Sequence, residues 1–191
     1  TSEINLRNYA TPTTSDAGVD QEQCSSGSFT LSGNVPVVGT GSWSVVSGTA
    51  TITAPTASNS GVTGVPVGTS ATLRWTISNG GTCAPSTDDV VLTHSASPTV
   101  ADAGVDLNQC NTSTFVMSGN TPVVGTGLWS IVSGPGVITN ASSPTTTITG
   151  VTAGDGSTPT VVRWTISNGT CTPSTSEINL RNYATPTTSD A

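Results

Sequence analysis

The sequence predicts an all-β chain made of two sandwich domains in tandem, and three observations carry that expectation. Short apolar–polar alternations recur between turn-forming residues, four Trp offer large buriable surfaces, and one half of the 191 residues repeats the other. No segment has a convincing helical period.

The alternations give the strands in order. Phe29 and Leu31, then Trp43 and Val45, then Leu73, Trp75 and Ile77, then Val91 with its neighbours place apolar side chains on one face at period two. Ser, Thr and Arg occupy the other face. Gly33-Asn34, Gly39-Thr40-Gly41, Ser47-Gly48 and Asn79-Gly80-Gly81 are read as the turns between them. About seven strands per unit follow, with Trp43, Trp75, Trp129 and Trp164 as core anchors.

Self-comparison sets the organisation. Asp16-Ala17-Gly18-Val19-Asp20 matches Asp102-Ala103-Gly104-Val105-Asp106, and the alignment carries Cys24 onto Cys110, Trp43 onto Trp129 and residues 74–79 onto 163–168. The unit is about 87 residues long. A second match is identical: residues 1–17 recur unchanged as residues 175–191. The expected organisation is therefore a window on a longer array with a 174-residue period. Residues 1–9 are the last strand of a preceding repeat, 10–95 and 96–184 are two complete repeats, and 185–191 begin the next. Ala-Ser-Pro-Thr and Ala-Thr-Pro-Thr form connectors too short to act as long flexible tethers.

Composition narrows the functions. Charged residues make up 8% of the chain, Lys is absent, and four Arg face eleven acids for a net charge of -7. Such a chain repels nucleic acid and anionic lipid. No apolar run approaches the ~20 residues of a membrane span. Thr1 opens directly into a strand-like segment, so no export leader is legible. Four Cys without Cys-x-x-Cys spacing favour an oxidising, extracellular address.

Catalysis lacks a constellation. His94 is the only His, and its repeat counterpart is Asn182; a solvated residue at a strand end is the plain reading. Arg74 and Arg163 are expected to stack or to pair with neighbouring acids. Asp16, Asp20, Asp102 and Asp106 recur at the start of each unit and are the candidate calcium ligands, since hard oxygens there would stiffen a junction. Calcium takes six to eight oxygens, so solvated turn aspartates are the competing reading. Asp88-Asp89 become Ser176-Glu177 in the second repeat, which argues against a shared metal design. Asp155-Gly156 reads as a turn. Asn111, Asn140 and Asn168 stand in glycosylation-type sequons, a pattern short enough to recur without meaning.

The cysteines leave alternatives open. In a sandwich, Cys24 would lie in the turn after the first strand and Cys83 in the loop between the last two, at opposite ends of the unit. That favours Cys24 bonded to Cys171 between domains, with Cys83 and Cys110 bonded to the units before and after. The alternatives are Cys24–Cys83 with Cys110–Cys171 inside the units, or free thiols.

Residues 101–109, Ala-Asp-Ala-Gly-Val-Asp-Leu-Asn-Gln, 128–135, Leu-Trp-Ser-Ile-Val-Ser-Gly-Pro, and 163–168, Arg-Trp-Thr-Ile-Ser-Asn, resemble the PKD-like immunoglobulin-fold repeats of bacterial surface proteins. The cysteines after Asp-Ala-Gly-x-Asp and after Ser-Asn-Gly resemble the tandem repeats of giant SprB-type gliding-motility adhesins of Bacteroidota. The resemblance covers both repeats. It implies tandem immunoglobulin-like (PKD-like) β-sandwich domains, export by type IX secretion and a place on the cell surface. Its implied partners are neighbouring repeats, surface polysaccharide and the outer-membrane motility or secretion machinery. Together these readings point to a non-enzymatic stalk giving reach and tensile strength in adhesion or gliding. The alternatives are a repeated carbohydrate- or protein-binding module of a secreted protein, or an accessory domain of a secreted hydrolase.

Overall fold

A computed structural model describes residues 2–80 and 83–186. Their regular structure is all strand, in two compact units, Thr1–Ala96 and Ser97–Ala191.

In the first unit the strands are β1 (Gln21–Gln23), β2 (Phe29–Thr30), β3 (Thr40–Ser47), β4 (Thr51–Ile52), β5 (Gly61–Thr63), β6 (Thr69–Ser78) and β7 (Ser86–His94). They form one sheet ordered β1-β7-β6-β3 and a second ordered β2-β5-β4. Thr, Val and Ile fill the long strands because their branched side chains suit a pleated surface. The alternation along β6 is strict: Ala71, Leu73, Trp75 and Ile77 are buried, whereas Thr72, Arg74 and Thr76 between them are partly exposed. Phe29 from β2, Leu31 just after it and Val62 from β5 meet Trp43, Trp75, Val90 and Leu92 from the other sheet in a single core. Trp43 and Trp75 are also register partners across β3 and β6, with ring centroids 4.9 Å apart and planes tilted by 36°. A tilted aromatic pair of this kind adds about 0.5–1.5 kcal/mol beyond the area it buries.

The second unit repeats this plan with β8 (Leu107–Cys110), β9 (Phe115–Val116), β10 (Thr126–Ser133), β11 (Val137–Ile138), β12 (Thr147–Thr149), β13 (Ala153–Gly154), β14 (Thr160–Ser167) and β15 (Ser174–Tyr183). One sheet runs β10-β14-β15-β13 with β8 also paired to β15, and the other runs β11-β12-β9. Trp129 and Trp164 face each other at 5.1 Å.

Three expectations from the sequence need correction. On β7 the inward residues are Val90 and Leu92, with Val91 only partly buried between them, because Val90 lies opposite Leu73 and Leu92 opposite Ala71. Val45 remains 39% exposed beside a register shift in β3, which is an outer strand of its sheet. Gly33 and Gly41 do not serve as positive-φ turn residues, unlike Gly39, Gly48 and Gly80. Gly41 lies within β3, and a Cβ there would overlap the Trp75 ring; a Cβ on Gly33 would come within 2.8 Å of Trp43. These two glycines make room for indoles. Gly81 of the expected Asn79-Gly80-Gly81 turn lies outside the described residues, as does 187–191 of the expected next repeat.

Residues 2–10 form no strand in the first unit. Ile4 and Leu6 are 83% and 93% exposed there.

Candidate functional site

The four indoles are buried. Trp43 and Trp129 donate their indole N–H to Ser58 O and Pro144 O, while the other two indoles are held by an asparagine whose first copy, Asn34, sequence reading takes only for a turn residue. Trp75 Nε1 donates to Asn34 Oδ1 at 3.1 Å, and Trp164 Nε1 to Asn120 Oδ1 at 3.2 Å. The same Asn34 oxygen accepts from Asp16 N at 2.9 Å, while Asn34 Nδ2 donates to Thr14 O at 2.8 Å. Asn120 repeats both bonds with Asp102 and Val100. One side chain thus ties the lead-in segment of each unit to its central Trp. The available signal was the recurrence of Ser-Gly-Asn before Val-Val-Gly-Thr-Gly in both repeats.

The recurrent aspartates are occupied by amide donors. Asp16 Oδ1 accepts from Gly18 N and Asp102 Oδ1 from Gly104 N, each at 2.9 Å, the geometry of a self-closed turn. Asp20 Oδ1 accepts from Val91 N, and Asp106 Oδ1 from Asn179 N, so each binds the last strand of its unit. Asp106 also receives Asn179 Nδ2 and Arg181. Those bonds, the Asn179 backbone first, hold its carboxyl below the usual carboxylate range. Among the described residues no three of His, Cys, Asp and Glu gather as a metal group would require. Asp16, Asp20 and Asp102 each take one amide on Oδ1, whereas both oxygens of Asp106 are engaged.

Arg74 and Arg163 lie on the polar face. Arg74 sits opposite Asp89 in the β6–β7 register and grips it with two bonds of 2.7 and 2.8 Å. This fork lowers the Asp89 pKa, chiefly through the hydrogen bond, and raises that of Arg74. Arg163 meets Glu177 across β14 and β15, with Nε donating to Oε1 at 2.7 Å. Neighbouring Asp88 accepts from Ala17 N at 2.7 Å and so anchors the lead-in segment. His94 is no solvated end: its Nδ1 lies 2.8 Å from Val65 O. Asp155 caps its own turn by accepting from Ser157, which lowers its pKa.

The sulfurs differ from one another. Cys24 and Cys171 are disulfide-bonded, whereas Cys83 and Cys110 are free. Cys24 follows β1 and is half-buried, Cys171 is buried, Cys83 is half-buried and Cys110 is exposed at the end of β8. The Cys83 Sγ lies 3.7 Å from Tyr9 O and 3.6 Å from Ala10 O. Cys110 is the register partner of Tyr183. A concavity beside it, lined by Asn111, Ser113, Gly150, Val151, Thr152 and Asn182, brings no ionisable side chain. No helix among the described residues is long and apolar enough to cross a membrane.

No family model and no curated protein matches the chain. Solved structures do. Sidekick-1 immunoglobulin domains 1–4 align over 94% of this chain and 51% of theirs, at 11% identity and a TM-score of 0.59. The chain thus spans about half of that structure. A chain from the complex of Dpr2 Ig1-Ig2 with DIP-Theta Ig1-Ig3 aligns over 91% of this chain and 67% of its own length, at 13% identity and a TM-score of 0.50. A PKD domain from the KIAA 1837 protein aligns over 48% of this chain at 23% identity, with a TM-score of 0.39, and carries no part of the fold argument. The likeness concerns fold alone, and on that ground the chain is a tandem of immunoglobulin-like β-sandwich domains.

Proposed function

We propose that this chain is a repeating segment of a long extracellular stalk, non-enzymatic, whose task is reach and tensile strength at a cell surface. The observation that carries the reading is the identical recurrence of residues 1–17 as 175–191. An array used as a spacer tolerates copied units, whereas an active site seldom needs them. In this reading repeat boundaries fall at residues 9, 95 and 184. Cys24 is bonded to Cys171 as a staple between consecutive repeats; both are disulfide-bonded while the other two cysteines are free, which supports it. The same oxidised pair supports an extracellular address. Adhesion or gliding on a Bacteroidota cell, type IX export, and contacts with surface polysaccharide or the motility machinery are the finer proposal, supported by the sequence resemblance alone.

Electron microscopy of the native protein on its source cell tests this. Long, thin, beaded surface filaments are expected. A compact secreted particle would overturn the stalk and favour a soluble binding module.

A further inference from the structure

We infer that, in the tandem array, Cys110 of one period forms a disulfide with Cys83 of the next, closing around a Tyr-Ala step that both touch. This rests on the array reading above. Residues 1–17 and 175–191 are identical, so Tyr9-Ala10 and Tyr183-Ala184 are one step seen in two settings. In the first setting it precedes a unit, in the second it completes one.

Each setting places a different cysteine against the step. Before the first unit, the Cys83 Sγ lies 3.7 Å from the Tyr9 carbonyl and 3.6 Å from that of Ala10, while Asn79 Nδ2 donates to Ala10 O at 2.8 Å. At the end of the second unit, Tyr183 pairs in parallel with Cys110, and Asn111 N donates to Tyr183 O at 2.8 Å. In a continuous chain both arrangements hold together. One tyrosine carbonyl then has the amide next to Cys110 and the sulfur of Cys83 as neighbours. A ladder spacing of about 4.8 Å separates Cys110 from the tyrosine backbone, so the shared carbonyl brings the two cysteine side chains to one place in the array.

The repeat itself supplies a precedent. Cys24 is the counterpart of Cys110, and Cys171 that of Cys83, in the alignment of the two units. Both counterparts are disulfide-bonded. Cys83 and Cys110 are free in a single period because the partner of each belongs to another period. Closing the bond removes two protons and two electrons from the thiols as the S–S bond forms. The disulfide of an extracytoplasmic thiol oxidant accepts them and becomes a dithiol.

The test is disulfide mapping of the native array. Free thiols are alkylated first, and the chain is then cut after Arg and before Asp. The four cysteines fall in four different peptides: Asp20–Arg74, Trp75–Thr87, Asp106–Gly154 and Trp164–Arg181. Trp75–Thr87 linked to Asp106–Gly154 is the expected result, together with two alkylated thiols, at Cys83 and Cys110, in the isolated 191-residue chain. Alkylated Cys83 and Cys110 in the native array, beside a linked Cys24 and Cys171, would overturn this inference and leave the staple reading standing. A Cys83–Cys110 bond inside the isolated chain would also overturn it, since the bond would then need no second period. Unlinked Cys24 and Cys171 would sink the staple reading itself.

Discussion

Ile4 and Ile178 occupy the same place in two copies of one sequence, yet Ile4 is 83% exposed and Ile178 only 3%. Leu6 and Leu180 differ in the same sense, at 93% and 0%. Local propensity is equal by construction, so the difference comes from β14, which pairs with residues 174–180 and has no counterpart beside residues 2–10. A strand exists here because a neighbouring strand and a core receive it.

Removal of residues 1–8 is therefore expected to leave the urea midpoint of both units unchanged, as followed by Trp fluorescence. Removal of residues 174–186 is expected to abolish cooperative unfolding of the second unit, because β15 holds the centre of its sheet. Similar effects of the two deletions would contradict this asymmetry.

Gly41→Ala and Gly127→Ala should each destabilise their own unit by about 1–3 kcal/mol, the usual result of forcing atoms into a filled core. A Cβ at either position overlaps an indole, that of Trp75 or Trp164. Gly154→Ala is the control: nothing lies within 4 Å of its Cβ position, and its φ is not positive. Denaturant titration of the three variants ranks them; a neutral Gly127→Ala would refute the packing account.

Replacement of Asn34 or Asn120 by Ala removes the oxygen shared by an indole N–H and the amide of Asp16 or Asp102. A loss of about 1–3 kcal/mol per unit is expected, with altered near-ultraviolet circular dichroism from the Trp pair. Asn120→Asp keeps an acceptor and should recover part of the loss.

Acid should unfold the chain in a defined window. Asp89 and Asp106 have folded pKa values below their ordinary 3.8, so the unfolded chain binds protons first as pH falls. Their stabilisation is complete above the unfolded pKa and disappears as pH drops through the lower folded value. Asp106→Asn should flatten that limb of the stability-versus-pH curve while leaving the neutral-pH fold intact. An unchanged acid limb would show that other carboxylates control it.

Cys24→Ser should lower stability by about 2–4 kcal/mol, the usual contribution of one bridge, and a reducing agent should have no further effect on that variant. Cys83→Ser should leave the isolated chain unaltered, since that thiol is free there. Calorimetry with and without reductant separates these outcomes.

The fold was legible because strand period, Trp placement and turn residues all agreed, and because the repeat showed each feature twice. The Arg74–Asp89 pair was anticipated in kind, although only the β6–β7 register could name the acid. Asn34 and Gly41 escaped for a common reason: both residue types suit turns, and only the position of Trp75 above them shows that one bonds the indole and the other yields it space. Val90 and Val91 were indistinguishable by pattern, since two adjacent valines satisfy either face. The bond from the Val91 amide to Asp20 was illegible because the two residues lie 71 apart in sequence.

The first and last strands of each unit lie side by side and point the same way. Gln21–Gln23 run parallel to Leu92–His94, and Leu107–Cys110 run parallel to Leu180–Tyr183. A pull on the two ends of a unit therefore drags these neighbours in opposite directions along their length. Every rung between them is sheared at once, instead of being unzipped one after another, and must break in a single concerted event. Resistance of that kind is kinetic: it is set by the rate of crossing one high barrier and not by the depth of the folded well.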